Sequence, residues 1–588
     1  MRRLIVSSVY ALCIMLFFLK GYPELLSYHE QYQLFLFNAD YLIARLSVAG
    51  GIADYVSEFL VQFCYIPFAG ALVFTLVFVV IQQLMYRLCY RVSSCEASYP
   101  LSMIPGLLLL AYMGDENVLL SFAVALIFVM LAVLLIVNID GKRRVIAEIF
   151  VIPLLYWCAG PVVFCYVALM IISNITYDML STRKLVMSLA RALYAIGIVY
   201  ISYKFILTQY IPNDVWMGIN YHRNRMTYPM MQFVVEASIV VTPLLARLLL
   251  FVKLKWFGIM ASVVVLLGGS VIVLSSYDRD KYTHLYFDYC VRHQQWNDII
   301  ERAEKHMPHS ALACNSVNLA LAKTGQLGER MFEFYQCGSR GLFSVFERNM
   351  VSCIPTAEAY YHLGMINEAL RCYFDTQESI LNCRKSGRFS KRLAELYIAN
   401  GDYNVAMKHL ANLKETLFYS SWANEMEKCL SDETKVSSQP QIKRLRELRF
   451  TEKFFFSHKT TKLLVRLWNG NKNNKLAYDY LLANIMLECD MESFYNISST
   501  LVNVGFMNLP KHYREVVAMF ALQGVSLGEA LTPDLGMMKM VKDFDAAFLM
   551  TSDRRKMLKS KWSDTYWTYC LVTYPSLDAT TGATQTKH

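Results

Sequence analysis

Nine apolar runs crowd the first 275 residues, and only short apolar segments follow them. The runs cover residues 4–19, 67–88, 101–113, 118–137, 145–159, 161–175, 185–206, 231–251 and 257–274. A hydrocarbon core of about 30 Å takes about 20 apolar residues per helix. Because lipid offers the backbone no hydrogen bonds, runs of this kind must fold as helices. The third, fifth and sixth are short, which suits a tilted or half-inserted helix. The expectation is an all-α chain: a polytopic transmembrane helix bundle of about nine spans over residues 1–275, then a soluble region over 276–574 and a disordered tail over 575–588.

Charge divides the chain at the same place. Through residue 275 there are 18 Lys plus Arg and 13 Asp plus Glu, which leaves 39 and 34 for the remainder. Each half therefore carries about five net positive charges, with no long basic run. That is not the electrostatic footprint nucleic-acid binding requires, so nucleic acid is excluded as a partner. The 15 cysteines are scattered without a CxxC pair, which argues against a zinc site or a disulfide-stapled domain. Six fall in the apolar half and read as small buried residues. The nine in the later half are an odd number, so at least one is unpaired in a monomer.

The first run follows Arg2 and Arg3 and continues into Lys20-Gly21-Tyr22-Pro23-Glu24 without a small-x-small cleavage pattern, so it reads as a retained anchor rather than a signal peptide. Lys and Arg in short loops set orientation. With the N terminus inside, the inner loops hold Arg2, Arg3, Arg87, Arg91, Lys142, Arg143, Arg144, Arg183, Lys184, Arg247, Lys253 and Lys255. The outer loops hold only Lys20, Arg45, Lys204, Arg223 and Arg225. An odd number of spans then puts the later half outside, which in a bacterium is the periplasm, with the protein in the inner membrane.

The first outer loop, residues 20–66, is too long for a turn. Ile52, Tyr55, Val56, Phe59, Leu60 and Phe63 form an apolar stripe at helical spacing, while Asp54, Glu58 and Gln62 form a polar row at i+4 steps. A second amphipathic piece, residues 32–46, is set apart by Gly50-Gly51. These predict interfacial helices with their carboxylates facing water.

After residue 277 apolar residues recur at helical spacing in segments broken every 15 to 20 residues by Gly or polar turns. Tyr360, Gly364, Ala369 and Tyr373 in one segment match Tyr397, Gly401, Ala406 and Leu410 in the next. A weaker copy has Leu321, Gly325 and Phe334, with Arg330 in the Ala place; Gln295-Trp296 is weaker still, and residues 476–531 read as hairpins without the pattern. The pattern resembles the tetratricopeptide repeat. That resemblance implies a helical-hairpin solenoid in which the Gly permits the turn and the Ala lets the helices approach.

Candidate chemistry lies in the outer loops. The first loop holds His29, Glu30, Asp40, Asp54 and Glu58, the second outer turn holds Asp115 and Glu116, and the loop before the eighth run holds His222, Arg223 and Arg225. Carboxylates from two loops could ligate a divalent cation or act as a base, and His and Arg beside them could bind a diphosphate. Glu236 stands inside an apolar run, where a carboxylate is costly and is a ligand-binding candidate by default. Arg191 and Lys204 bracket the seventh run as interface anchors. His306, His309 and Cys314 read as a solvated turn rather than a metal cluster. No Walker A loop, HExxH, GxSxG or helix-opening GxGxxG is present, so ATP hydrolysis, zinc proteolysis and dinucleotide chemistry lack support.

The long first loop with interfacial helices, its acids, the Asp115-Glu116 pair and the soluble region after the last span resemble the GT-C glycosyltransferase superfamily in architecture. The resemblance implies a polyprenyl-linked sugar donor, Asp54, Glu58, Asp115 and Glu116 as catalytic acids, and Glu30, His222, Arg223, Arg225 and Glu236 at the ligand. It departs from that superfamily in having no paired acid directly after the first span. Over its whole length, through residues 28–35 and 50–55, the chain resembles bacterial inner-membrane proteins of unknown function that join a polytopic half to a tetratricopeptide-like half. Two roles follow: a membrane scaffold or envelope-assembly factor whose repeats grip a protein partner, and a GT-C-like transferase. Transport is disfavoured, since few ionisable residues lie in the runs and no inverted repeat is evident.

The orientation is directly testable. A reporter active only outside the cytoplasm should work when fused after residue 560 and fail when fused near Arg143; the opposite pattern refutes the assignment.

Overall fold

The structure is a computed structural model that describes residues 2–95, 98–139, 141–177, 182–223, 229–248, 257–276, 278–345, 347, 350–381, 384–449, 460–503, 506–551 and 553–577. Among these residues every regular element is helical, and β-type pairing is confined to two isolated bridges, Val118 with His222 and Cys337 with Ser339. The chain forms two compact units. The first is Met1–Asp278 together with Leu381–Arg388 and Ala411–Asn424; the second is Arg279–Ile380, Phe389–Leu410 and Glu425–His588.

Among the described residues of the first unit five helices are long and apolar enough to cross a membrane: Arg3–Gly21, Pro67–Ser93, Gly141–Ser173, Leu185–Phe205 and Met230–Arg247. The ninth predicted run, Met260–Ser275, qualifies only when joined to the helix after it. The third and fourth runs form shorter apolar helices, Pro100–Tyr112 and Leu120–Ile136. The fifth and sixth merge into the 33 residues of Gly141–Ser173. At 1.5 Å per residue that stretch would run about 50 Å, well beyond a hydrocarbon core, and the turn Gly160–Val162 interrupts it.

Leu120–Ile136 is apolar on every side and largely buried, the pattern of a helix enclosed by others. It packs against the helices Gly51–Val61, Pro67–Ser93, Gly141–Ala159 and Val163–Tyr177. Leu185–Phe205 instead leaves Leu189, Leu193, Ile201 and Phe205 exposed. Its Arg191 is not an interface anchor. It is buried, and its Nε stands 2.5 Å from Glu148, which Arg144 also reaches at 3.1 Å. A carboxylate shared by two guanidinium groups spares both charges an unpaired burial.

The first loop folds as the helices Pro23–Gln31, Ala39–Leu46 and Gly51–Val61. Asn38 caps the second by accepting from the Tyr41 N–H at 2.7 Å. Gly50 holds a φ of +84°, donates to the Trp157 carbonyl at 2.9 Å and faces Gly160, whose φ is +74°. A Cβ on Gly50 would lie 3.5 Å from the Gly160 Cα. The polar row of Gly51–Val61 does not face water as expected. Asp54, Glu58 and Gln62 point inward, and the apolar stripe stays half-exposed; partners described below reverse the helix.

The second unit is built of helical hairpins, among them Trp296–Lys305 with Ala311–Lys323, Cys353–Leu363 with Ile366–Glu378, and Thr460–Gly470 with Lys475–Leu487. In the two segments matched above, Gly364 and Gly401 take φ values of +81° and +89° at the turns, and Ala369, Tyr373, Ala406 and Leu410 are fully buried. Tyr397 stacks on His409 across the second turn at 5.7 Å. In the weaker copy, Arg330 ends a single helical turn and pairs with Glu304 and Glu333 at 2.7 Å each, so that hairpin is cut short. Trp567 is fully buried and donates to the Glu515 carbonyl at 2.9 Å. Residues 578–588 of the expected tail lie outside the described residues.

The two turn glycines should respond differently to alanine. Both pay the left-handed backbone cost of about 1–2 kcal/mol, but a Cβ on Gly364 would come within 2.6 Å of the Leu448 backbone, whereas one on Gly401 meets nothing. Gly364→Ala should therefore destabilise the purified full chain by about 1–3 kcal/mol more than Gly401→Ala in thermal melts. Equal losses would show that the Leu448 contact does not form.

Candidate functional site

Charged side chains in the first unit gather in two places. The first is built on the Gly51–Val61 helix, whose Asp54 and Glu58 are completely buried. Arg45, one helix earlier, reaches Glu58 through Nε at 2.7 Å and Nη2 at 3.1 Å and stands 3.5 Å from Asp54. Arg384 donates through Nη2 to Asp54, and its Nε lies 3.1 Å from Glu58. Tyr41 donates to Glu58 as well. Burial pushes the Asp54 carboxyl up to about 6, against the pull of Arg384. Two acids and two guanidinium groups thus close a charge-balanced network.

Around that network the later segments complete the loop. Residues 33–37 form no helix, and their backbone donors are met from elsewhere: the Leu34 N–H donates to the Lys385 carbonyl at 3.0 Å and the Phe37 N–H to the Glu415 carbonyl at 2.9 Å. Tyr419 donates to Glu30 at 2.6 Å and Arg388 to Gln31 at 2.7 Å. Phe418 stacks on Tyr65 at 5.2 Å. Glu30 is accordingly a buried acceptor, while Asp40 is exposed.

The second gathering joins residues from three loops. The segments 117–119 and 221–223 pair through their backbones: Leu119 N–H donates to the Tyr221 carbonyl at 2.9 Å, and Arg223 N–H to the Asn117 carbonyl at 2.8 Å. That pairing sets His222 Nε2 3.4 Å from Asp115 and lets Arg223 Nη1 donate to the Glu116 carbonyl at 2.7 Å. Arg223 is buried, with its guanidinium over the rings of Tyr28 at 5.2 Å and Tyr32 at 5.1 Å. His29, on the same helix as Tyr28, is fully buried and feels the charges of Arg223 and Asp115. Asp115, Glu116, His222 and Arg223 are therefore brought together with the first loop, whereas Asp54 and Glu58 are held in the separate network.

Glu236 accepts from Gln232 at 3.1 Å and shares electrostatic reach of Tyr112 with Asp115. Arg225 lies outside the described residues. The carboxylates of Asp54 and Glu58 are taken up by guanidinium groups, and among the described residues no group of three or more His, Cys, Asp or Glu is arranged to hold a metal ion. His309 lies edge-on to Tyr335 at 5.2 Å rather than facing a ligand cluster.

Sequence reasoning missed Arg384, Arg388 and Tyr419. The signal available was Arg384-Lys385-Ser386-Gly387-Arg388, a short cationic stretch at a helix start. It also missed a buried row in the second unit. There Arg392 lies over Tyr361 at 4.0 Å and reaches Glu358 at 3.3 Å and Glu395 at 3.1 Å, and Arg444 stands 3.4 Å from His362.

Residues 1–573 match a family described as a family of unknown function (DUF6057). No curated protein and no solved structure matches the chain.

The four-charge network makes a testable claim about stability. Removing one partner leaves a buried charge unpaired, which costs about 3–5 kcal/mol, so Arg384→Met should lower the melting temperature and abundance sharply. Adding Asp54→Asn to it leaves Glu58 balanced by Arg45 and should recover part of the loss. A double variant no better than Arg384→Met alone would mean the charges are not coupled.

Proposed function

The chain belongs to this family of unknown function, so we propose its role from its own residues: an integral membrane protein that acts as a scaffold or envelope-assembly factor, with a tetratricopeptide-like hairpin region that grips a protein partner. The apolar first half is read as nine membrane segments with the N terminus inside and the later half outside. The observation that carries the scaffold reading is that two stretches of the later half, Leu381–Arg388 and Ala411–Asn424, are built into the first unit. Arg384 and Tyr419 there meet the buried acids Asp54, Glu58 and Glu30. Two acids first considered for catalysis thereby have a structural use. The matched Gly and Ala positions of the hairpins support a stacked-repeat surface suited to a peptide or helix.

A second reading, a GT-C-like transferase using a polyprenyl-linked donor, is favoured by the Asp115–His222 pair. A carboxylate 3.4 Å from an imidazole nitrogen orients that ring for proton transfer, and Arg223 next in sequence suits a phosphate. Under this reading Asp115 and His222 act as the acid–base pair, and Glu116 and Glu236 line the ligand.

The two readings separate on conservative variants. In cells lacking the native copy, Asp115→Asn, Glu116→Gln and His222→Gln should restore the envelope phenotype in full if the protein is a scaffold. Loss of a general base lowers rate by about two to four orders of magnitude, so failure of Asp115→Asn and His222→Gln at normal abundance would replace the scaffold by the enzyme.

A further inference from the structure

Three arginines of the first unit, Arg45 half-buried and Arg384 and Arg223 buried, can be compared donor by donor. An arginine offers its Nε and Nη2 hydrogens side by side, spaced to meet two oxygens of one oxyanion. In Arg45 that edge is filled by the two oxygens of Glu58, at 2.7 and 3.1 Å. In Arg384, Nη2 donates to Asp54, and Nε, though without a hydrogen bond, lies 3.1 Å from the Glu58 carboxylate. In Arg223 that edge is empty among the described residues: Nε and Nη2 are both buried without a hydrogen-bond partner there, and the guanidinium's one such partner is the Glu116 carbonyl on Nη1.

The surroundings do little to relieve that charge. Burial pushes the Arg223 guanidinium down to about 10 and the nearby Arg384 adds to the effect, while the charge of Glu116 opposes it, and the group stays charged at neutral pH. The faces of Tyr28 and Tyr32 give partial compensation. Beside it His29 is also fully buried with neither ring nitrogen partnered, and burial with the Arg223 charge keeps that ring neutral. A neutral imidazole still carries one N–H donor. Buried donors without acceptors are costly, the more so on a charged group, and these lie on one helix face and the loop that packs over it.

The geometry points to a bound phosphate group at this place, two of whose oxygens take the Nε–Nη2 edge of Arg223 while His29 donates to a third. Either a phosphate-bearing lipid headgroup or free inorganic phosphate presents this chemistry; a planar carboxylate lacks the third oxygen. The inference deepens the phosphate role that the transferase reading gives Arg223, and its test reads binding alone, so it can fail or hold whether or not any group is transferred.

The test uses the full chain purified in a phosphorus-free detergent. Phosphorus is measured per chain in the organic-solvent extract and in the aqueous wash, and melting temperature is followed with inorganic phosphate, pyrophosphate, acetate and micelles doped with phosphatidate. About one phosphorus per chain in the organic extract, or a melting rise of a few degrees with phosphatidate, identifies a lipid headgroup; retention in the wash, or a rise with phosphate or pyrophosphate, identifies the free ion. Either effect should vanish in Arg223→Gln, and His29→Gln should weaken it about tenfold if it supplies one buried hydrogen bond. Absence of phosphorus together with no melting response in the parent overturns the proposal. So does an equal response to acetate, or an Arg223→Gln variant that behaves like the parent. Should Arg223→Gln fail to accumulate, the parent measurements and His29→Gln decide the matter alone.

Discussion

The pairing of Asp54 and Glu58 with Arg45 and Arg384 is the constraint on which the first unit's loop depends. Taking a single carboxylate or guanidinium out of water costs several kcal/mol even after relaxation, and only a close partner repays it. Here four charges alternate, so each is repaid by two neighbours. The consequence reaches past the four residues. The Gly51–Val61 helix can turn its polar row inward because guanidinium groups wait there, and residues 33–37 can stay outside any helix because the Lys385 and Glu415 carbonyls accept the N–H groups of Leu34 and Phe37.

Glycine makes a complementary contribution at the start of that helix. Gly50 and Gly160 face each other, and both hold positive φ angles that other residues resist. The approach lets Trp157 donate to the Leu46 carbonyl at 2.8 Å while Gly50 donates to the Trp157 carbonyl. The break between the fifth and sixth apolar runs is therefore also the seat of the first loop. Tyr221, which donates to the Ala159 carbonyl beside that break, ties in the loop that carries His222 and Arg223. The polar constellation is positioned by backbone pairing and by tight glycine contacts, with little help from helix propensity.

In the second unit the governing terms are more local. Hairpin turns at Gly364 and Gly401 and fully buried alanines at 369 and 406 bring antiparallel helices together. Aromatic residues fill the space between them, as Phe343 does against Tyr360 at 4.9 Å. The buried row of Arg392, Glu358 and Glu395 repeats, on a smaller scale, the charge logic of the first unit.

How far these features could be read from the chain follows from the range of the interactions that create them. Apolar length, helical spacing and turn glycines act over a few residues, so the sequence alone specifies an all-helical chain, an apolar first half with helices of membrane-crossing length, and hairpins at 353–378. It also singled out Asp115, His222 and Arg223 as chemically suggestive, but not that they meet. What it could not disclose is which face of Gly51–Val61 is buried. The 3.6-residue period is the same whether the apolar stripe or the acid row turns inward, and the choice rests on Arg384, 330 residues away in the chain. Tertiary structure decided that, as it decided that Arg223 sits buried against the rings of Tyr28 and Tyr32 with its fork unfilled among the described residues. A charge's worth depends on what surrounds it in space, and spacing along a chain carries no information about that.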